Sequence, residues 1–422
     1  VTRGQKVATV LLWILAAAVA VRLGRIAARA SVQPTSGFAA YHAAARLLME
    51  GRLDGAVYRD EVFQVEVERL APGVRDILRP NPPSVGLLLA PLAAAPHLTT
   101  RALFIVVGLA ALGLAVFLLT RCTGLEGPVA AAFAAFTFVS PPVVENVRNG
   151  QAYSGLLALA AIALAAARRD SAPREGVCLG LAAGLKLALP FVWLAAAVGR
   201  RRASLGWASA TVTALGAVTV VFTGPGAFVE WARLAVRVGG RPELAVAAYQ
   251  SQAGLLARLF RGDPRWNPEP ILAAPALGAA LTLAAFALAV AVVVHVARRD
   301  VGAGYAAAVA ASLAASPLSL EYHYVLALLP VSVLGARAVG RRALPEGLLV
   351  AASLVLLAVP LVRTQGAASA GEILFAYPRL VAAWLLAVAS VLTVRRAIAG
   401  TAGGTDTPEA PTAQRRSQSS QG

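Results

Sequence analysis

Hydrophobic positions fall along most of this chain in unbroken runs of Ala, Leu and Val, and polar positions collect in short clusters at the ends of those runs. Runs of about 17–25 apolar residues have the length of a membrane-crossing helix, and no segment carries the two-residue alternation of a barrel strand. The pattern predicts spans at about 7–24, 102–120, 128–146, 151–167, 203–223, 271–296, 301–315, 322–336, 345–363 and 378–394. Residues 82–98 are apolar but short and contain Pro82, Pro83, Pro91 and Pro96. Proline removes helix hydrogen bonds, so a broken helix is expected there. Residues 176–198 have arginines on both flanks and read as a hairpin of two short helices with Lys186 near its tip, a single span being the alternative. The expected fold class is an all-α polytopic membrane protein of about twelve transmembrane helices. A long first outer loop is expected at about 25–81 and a second at about 224–270, where residues 226–238 have the apolar spacing of an interfacial helix.

Composition agrees with this pattern. Of 422 residues, 58% are hydrophobic and 14% charged, more apolar surface than a soluble domain can hide. The net charge of +17 raises nucleic acid as a partner, but the arginines sit in short loops between spans, as the positive-inside rule produces. No nucleic-acid motif accompanies them, so no nucleic-acid partner is expected. Placing Arg168-Arg169, Arg200–Arg202, Arg298-Arg299, Arg341-Arg342 and Arg395-Arg396 inside puts both termini in the cytoplasm. The expected location is the cell inner (cytoplasmic) membrane. The run 7–24 reads as a retained first span, residues 1–398 as one integral membrane domain, and 399–422 as a disordered cytoplasmic tail. Two cysteines, Cys122 and Cys178, exclude a disulfide framework and a cysteine-ligated metal site, and neither metal nor cofactor is expected.

This topology, drawn from arginines alone, puts the polar clusters on the outer face. Lys186, one of two lysines, is suited to a phosphate near the lipid headgroups, or else snorkels without a ligand. Asn149-Gly150-Gln151, with Glu145 and Arg148 before it, offers groups for sugar hydroxyls and phosphate oxygens, or forms a capped turn. Glu321-Tyr322-His323-Tyr324 supplies an imidazole that can bind phosphate or relay a proton, or serves as an aromatic belt. Arg79 stands in a rigid Arg79-Pro80-Asn81-Pro82-Pro83 segment, free to reach a phosphate. The first outer loop holds Glu50, Asp54, Asp60, Glu61, Glu66, Glu68 and Asp76, seven of the chain's 21 carboxylates and the richest source of a general base. No phosphate-binding nucleotide loop, dinucleotide fingerprint or serine nucleophile elbow is present, which argues against nucleotide chemistry on the inner side.

Six motifs in order carry a resemblance: Gly37-Phe38-Ala39-Ala40-Tyr41 through Tyr58; Pro80-Asn81-Pro82-Pro83 with Ala90-Pro91-Leu92; Ser140-Pro141-Pro142 to Asn149-Gly150-Gln151; Gly184-Leu185-Lys186 to Pro190; Gln250-Ser251; and Ser316-Pro317-Leu318-Ser319 to His323-Tyr324. Together they resemble glycosyltransferase family 87, membrane mannosyltransferases of the GT-C fold, over about residues 5–395. The resemblance implies a sugar donor on a polyprenyl phosphate, a glycolipid or glycan acceptor, and inverting transfer at the extracytoplasmic face of the bilayer. It implies donor-phosphate contacts from Lys186, Arg148, Arg79 and His323. Sugar or acceptor contacts would come from Asn149, Gln151, Glu145, Gln250, Glu321 and Tyr41. The family usually carries an aspartate just before the aromatic-x-x-Tyr stretch, whereas this chain has Gly37. Asp60 or Glu61 is then the expected base, and a flippase or an inactive relative are the competing readings.

Overall fold

The computed structural model describes residues 2–361 and 370–402. The part of the expected tail from residue 403 lies outside the described residues, as does the end of the expected span 345–363. Regular structure among the described residues is helical, apart from one bridge between Asp263 and Asn267. In chain order the helices are α1 Arg3–Ser31, α2 Phe38–Met49, α3 Asp60–Leu70, α4 Ser84–Leu88, α5 His97–Thr123, α6 Gly127–Val139, α7 Pro141–Asn149, α8 Tyr153–Ala167, α9 Ala172–Leu185 and α10 Pro190–Val198. They continue with α11 Arg202–Thr223, α12 Pro225–Arg237, α13 Gln252–Phe260, α14 Pro275–Ala297, α15 Val301–Ala315, α16 Leu328–Gly340, α17 Leu344–Ala358, α18 Ala370–Phe375 and α19 Pro378–Ala402.

Among the described residues six helical segments are long and apolar enough to cross a membrane, and α6 with α7, bent by 44° at Ser140, makes a seventh if the pair is one span. Three more apolar helices, α8, α15 and α17, have only 15 residues each. At 1.5 Å per residue each reaches about 22 Å, short of the roughly 30 Å hydrocarbon core. The expected count of about twelve spans is thus not matched: among the described residues six or seven segments have spanning length, and three apolar helices are shorter. α8 starts just after Gln151 and α15 stops just before Ser316, and both residues line one internal cavity. A water-accessible chamber takes the place of helix there, where irregular backbone is tolerated because it lines a cavity.

Three local expectations change. α1 runs to Ser31, because Leu23, Ala27 and Ala30 continue its buried stripe while Arg22, Arg25 and Arg29 stay exposed on the other side. The first outer loop is a folded unit: α2, α3 and the 3₁₀ turn Gly55–Tyr58 bury Leu47, Val57, Phe63, Val67 and Leu78 together. The residues 399–402 continue α19. The hairpin reading of 176–198 matches α9 and α10, which break at Lys186–Leu189 because Pro190 cannot donate to the helix before it. Residues 82–98 are broken into α4 and the turn Ala90–Leu92.

The break at Lys186 is held by close packing of α9 on α11. Gly176, Gly180 and Gly184 repeat every fourth residue along one face of α9. A Cβ on Gly180 would stand 2.5 Å from Thr211 Cβ and 2.8 Å from the Ala208 carbonyl oxygen. Small residues let the two backbones approach where lipid gives no hydrophobic drive between helices. Ser84 Oγ then donates to the Gly184 carbonyl at 2.6 Å, tying α4 to the end of α9.

Candidate active site

The chamber measures about 930 Å³ and is lined by the start of α2, the loop before α4, the α7–α8 turn with the α9–α10 break, the segment after α15, α12 with the loop that follows it, and Phe286 of α14. At its centre Lys186 lies in extended backbone at the end of α9, 8% exposed. Its ammonium donates to Tyr41 Oη at 3.3 Å and Gln151 Oε1 at 3.4 Å, and stands 5.0 Å from the Tyr153 ring centre. Tyr41 Oη also donates to Gln151 Oε1 at 3.0 Å. Among the described residues no carboxylate lies within ion-pair distance of Lys186. A buried cation held only by neutral groups and ring faces is short of an anion.

His323 packs beside it, its ring centre 4.3 Å from that of Tyr153. Its Nδ1 accepts the Leu320 backbone N–H at 3.0 Å. An imidazole accepting at Nδ1 carries its proton on Nε2 and so acts there as a neutral donor. The Asn149-Gly150-Gln151 turn ends α7 with Gly150 in the left-handed region at φ 59°. A side chain there would press on Phe38, so glycine lets α7 and α2 meet and brings Gln151 to Tyr41.

The chamber thus gathers Tyr41, Arg79, Asn149, Gln151, Lys186 and His323 from the expected set. The other six stand off its wall. Arg148 is exposed and pairs with Glu145 at 2.9 Å, and Glu145 also accepts from Asn149 Nδ2 at 3.3 Å. Gln250 is fully buried, donating to the carbonyls of Ala247 at 2.6 Å and Ala376 at 2.7 Å. Glu321 is ion-paired with the buried Arg379. Asp60 is ion-paired with Arg79, and burial pushes its carboxyl upward against the pull of Arg79 and Arg241. Glu61 is exposed at the start of α3.

A further wall residue, which the sequence offers only as one of seven acids of the first outer loop, is Asp76, between α3 and α4. Its Oδ2 accepts the backbone N–H groups of Gly37 at 2.5 Å and Ala40 at 2.8 Å, and its Oδ1 accepts that of Ile77 at 2.9 Å. Burial pushes its carboxyl up to about 6, opposed by those three N–H groups and by the charge of Lys186. The one sequence signal for it is position, three residues before Arg79 in the rigid segment that leads to α4.

Away from these groups the wall is apolar, with Leu187, Phe191, Leu234, Val238 and Phe286. Phe191 and Phe286 pack with ring centres 5.4 Å apart. Among the described residues, a helical membrane bundle surrounds a chamber lined by Lys186 and His323 as well as by apolar side chains. The sequence profile of Glycosyltransferase family 87 matches residues 80–320, more than half of the chain, and the chain belongs to that family. It is a membrane glycosyltransferase. No curated protein and no solved structure matches it.

Proposed function

We propose that this enzyme transfers a sugar, mannose by its family resemblance, from a polyprenyl-phosphate donor to a cell-envelope glycolipid or glycan. Transfer takes place at the extracytoplasmic face of the inner membrane, with both termini in the cytoplasm and inversion at the anomeric carbon. The observation that carries this reading is the chamber itself, where Lys186, without a carboxylate partner, and the Nε2–H of His323 adjoin an apolar wall. A lipid phosphate needs both halves. Its phosphate satisfies the buried ammonium by a charge-assisted hydrogen bond, and its chain covers the greasy wall.

In the reaction the acceptor oxygen bonds to the anomeric carbon as the bond to the phosphate oxygen breaks, and a carboxylate takes the hydroxyl proton. The polyprenyl phosphate leaves with an added negative charge, which Lys186 and His323 stabilise where it develops. Asn149 and Gln151 hold sugar hydroxyls. Arg79, fixed by Asp60, stands further along the same wall.

The test uses enzyme in nanodiscs with polyprenyl-phosphate mannose and a panel of acceptors: octyl α-mannoside, octyl β-glucoside and phosphatidylinositol. Mass spectrometry follows transfer by wild type and Lys186→Ala. Transfer by wild type and a loss of at least about tenfold in kcat/KM for the donor in Lys186→Ala are expected, a change of about 1.4 kcal/mol. Tight donor binding with no transfer to any acceptor points instead to a lipid-linked-sugar flippase or an inactive relative.

A further inference from the structure

We propose that Asp76 is the catalytic base, a carboxylate that reaches from a distant loop to cap the start of α2 at Gly37. The proposal rests on the glycosyl-transfer reading and names the carboxylate that reading requires.

Gly37 is the N-cap residue of α2, and Ala40 is the third residue of that helix. A capping aspartate ordinarily accepts the N–H of the second or third helical residue through its own side chain. Gly37 has no side chain, and its φ of 94° with the Gln151 amide and the Asn149 carbonyl packed against it leaves no room for one. Asp76 Oδ2 takes that bond instead, accepting from Ala40 and from Gly37 itself. A carboxylate oxygen therefore occupies the capping position of α2 although no carboxylate precedes the helix in sequence.

The same placement faces chemistry. Among the described residues two acids line the chamber, Asp76 and Glu243. Glu243 is ion-paired with Arg241 at 3.5 Å. Asp76 has no cation in ion-pair distance among the described residues and is held by backbone N–H groups alone. Those bonds fix its plane, and Oδ1, with a single N–H partner, keeps a lone pair for an acceptor hydroxyl. A carboxyl raised to about 6 is ionised at neutral pH and is a stronger base than an ordinary aspartate. In the step, the acceptor O–H bond breaks toward Oδ1 and the oxygen's electron pair forms the new bond to the anomeric carbon. The sugar–phosphate bond electrons leave with the phosphate, and the proton ends on Asp76.

Asp76→Asn separates this role from capping, because the amide oxygen of Asn accepts the Gly37 and Ala40 N–H groups as the carboxylate does but cannot take a proton. In the same nanodisc assay, Asp76→Asn is expected to lose about 10²–10⁴-fold in kcat with donor KM within about threefold of wild type. Glu68→Gln, in the same loop unit and off the chamber, keeps the wild-type rate and controls for loop chemistry. Wild-type kcat/KM should rise with pH through an acid limb near 6 that is absent from the residual activity of Asp76→Asn. An active wild type with Asp76→Asn within about threefold of it overturns the proposal and leaves the transferase reading standing. A wild type inactive on the whole panel overturns the transferase reading, and this assignment falls with it.

Discussion

At the level of single residues, Gly37 shows how a contact that spacing along the chain does not encode brings a distant carboxylate to the start of a helix. The missing capping aspartate was visible, and the first outer loop was identified as the source of a carboxylate. Asp60 and Glu61 are the acids expected from sequence, and the fold in addition carries Asp76 to the start of α2 through a contact 39 residues apart. Nothing in residue spacing encodes such a contact. Lys186 and Gln151 were easier, because a lone lysine in an apolar run and an amide after a helix-ending glycine are conspicuous without any fold. Gly37→Ala tests whether the exchange is obligatory. The new methyl must displace the Gln151 amide and hold φ near 94°, which costs an L-residue on the order of 1–3 kcal/mol. We expect a Tm in detergent lower by several degrees and a donor KM raised at least about fivefold, since Gln151 helps hold Lys186. Wild-type values for both would show that Gln151 moves freely and has no part in the site.

At the level of elements, hydropathy finds the apolar helices and the break around Lys186, but not α2, α3 and α13, which lie in the outer loops. The long spans follow from unbroken apolar runs. The 15-residue helices α8 and α15 follow the runs 151–167 and 301–315 read from sequence; what hydropathy does not show is that both end at one chamber. The glycine face of α9 lay in the sequence as a four-residue repeat, but its partner α11 became evident only in three dimensions. That contact sets where α9 ends and hence where Lys186 points. Gly180→Val places two methyl groups against the Ala208 carbonyl and Thr211, where the opposing backbone cannot yield. The expected outcome is lower folded yield on size-exclusion chromatography and a Tm reduced by more than for Gly206→Val, a glycine with open space around it. Equal behaviour of the two variants would mean that α9 and α11 separate without cost.

Across the whole molecule, charge and chemistry sit at opposite ends of the bundle. Arg168, Asp170, Arg299, Asp300 and Arg337 meet around one pocket, drawn from the ends of α8, α14 and α16, with Asp300 paired to Arg337 at 2.7 Å. These are the arginine-rich turns assigned to the cytoplasm from sequence, and they assemble on one face although they are far apart in the chain. The chamber lies among the other helix ends, at the start of α2, the α7–α8 turn and the end of α15. If the positive-inside rule orients the protein, the chamber faces away from the cytoplasm, where nucleotide-linked sugars are absent and a lipid must deliver the donor. Single-cysteine variants read this directly in a background with Cys122 and Cys178 replaced by serine. Glu61→Cys, on the α2–α3 unit, should react with a membrane-impermeant maleimide in intact spheroplasts. Asp170→Cys, at a side chain 92% exposed on the arginine-rich face, should react only after permeabilisation. The reverse pattern would turn the chamber toward the cytoplasm, where soluble nucleotide sugars could reach it, and the lipid-linked donor would lose its topological support.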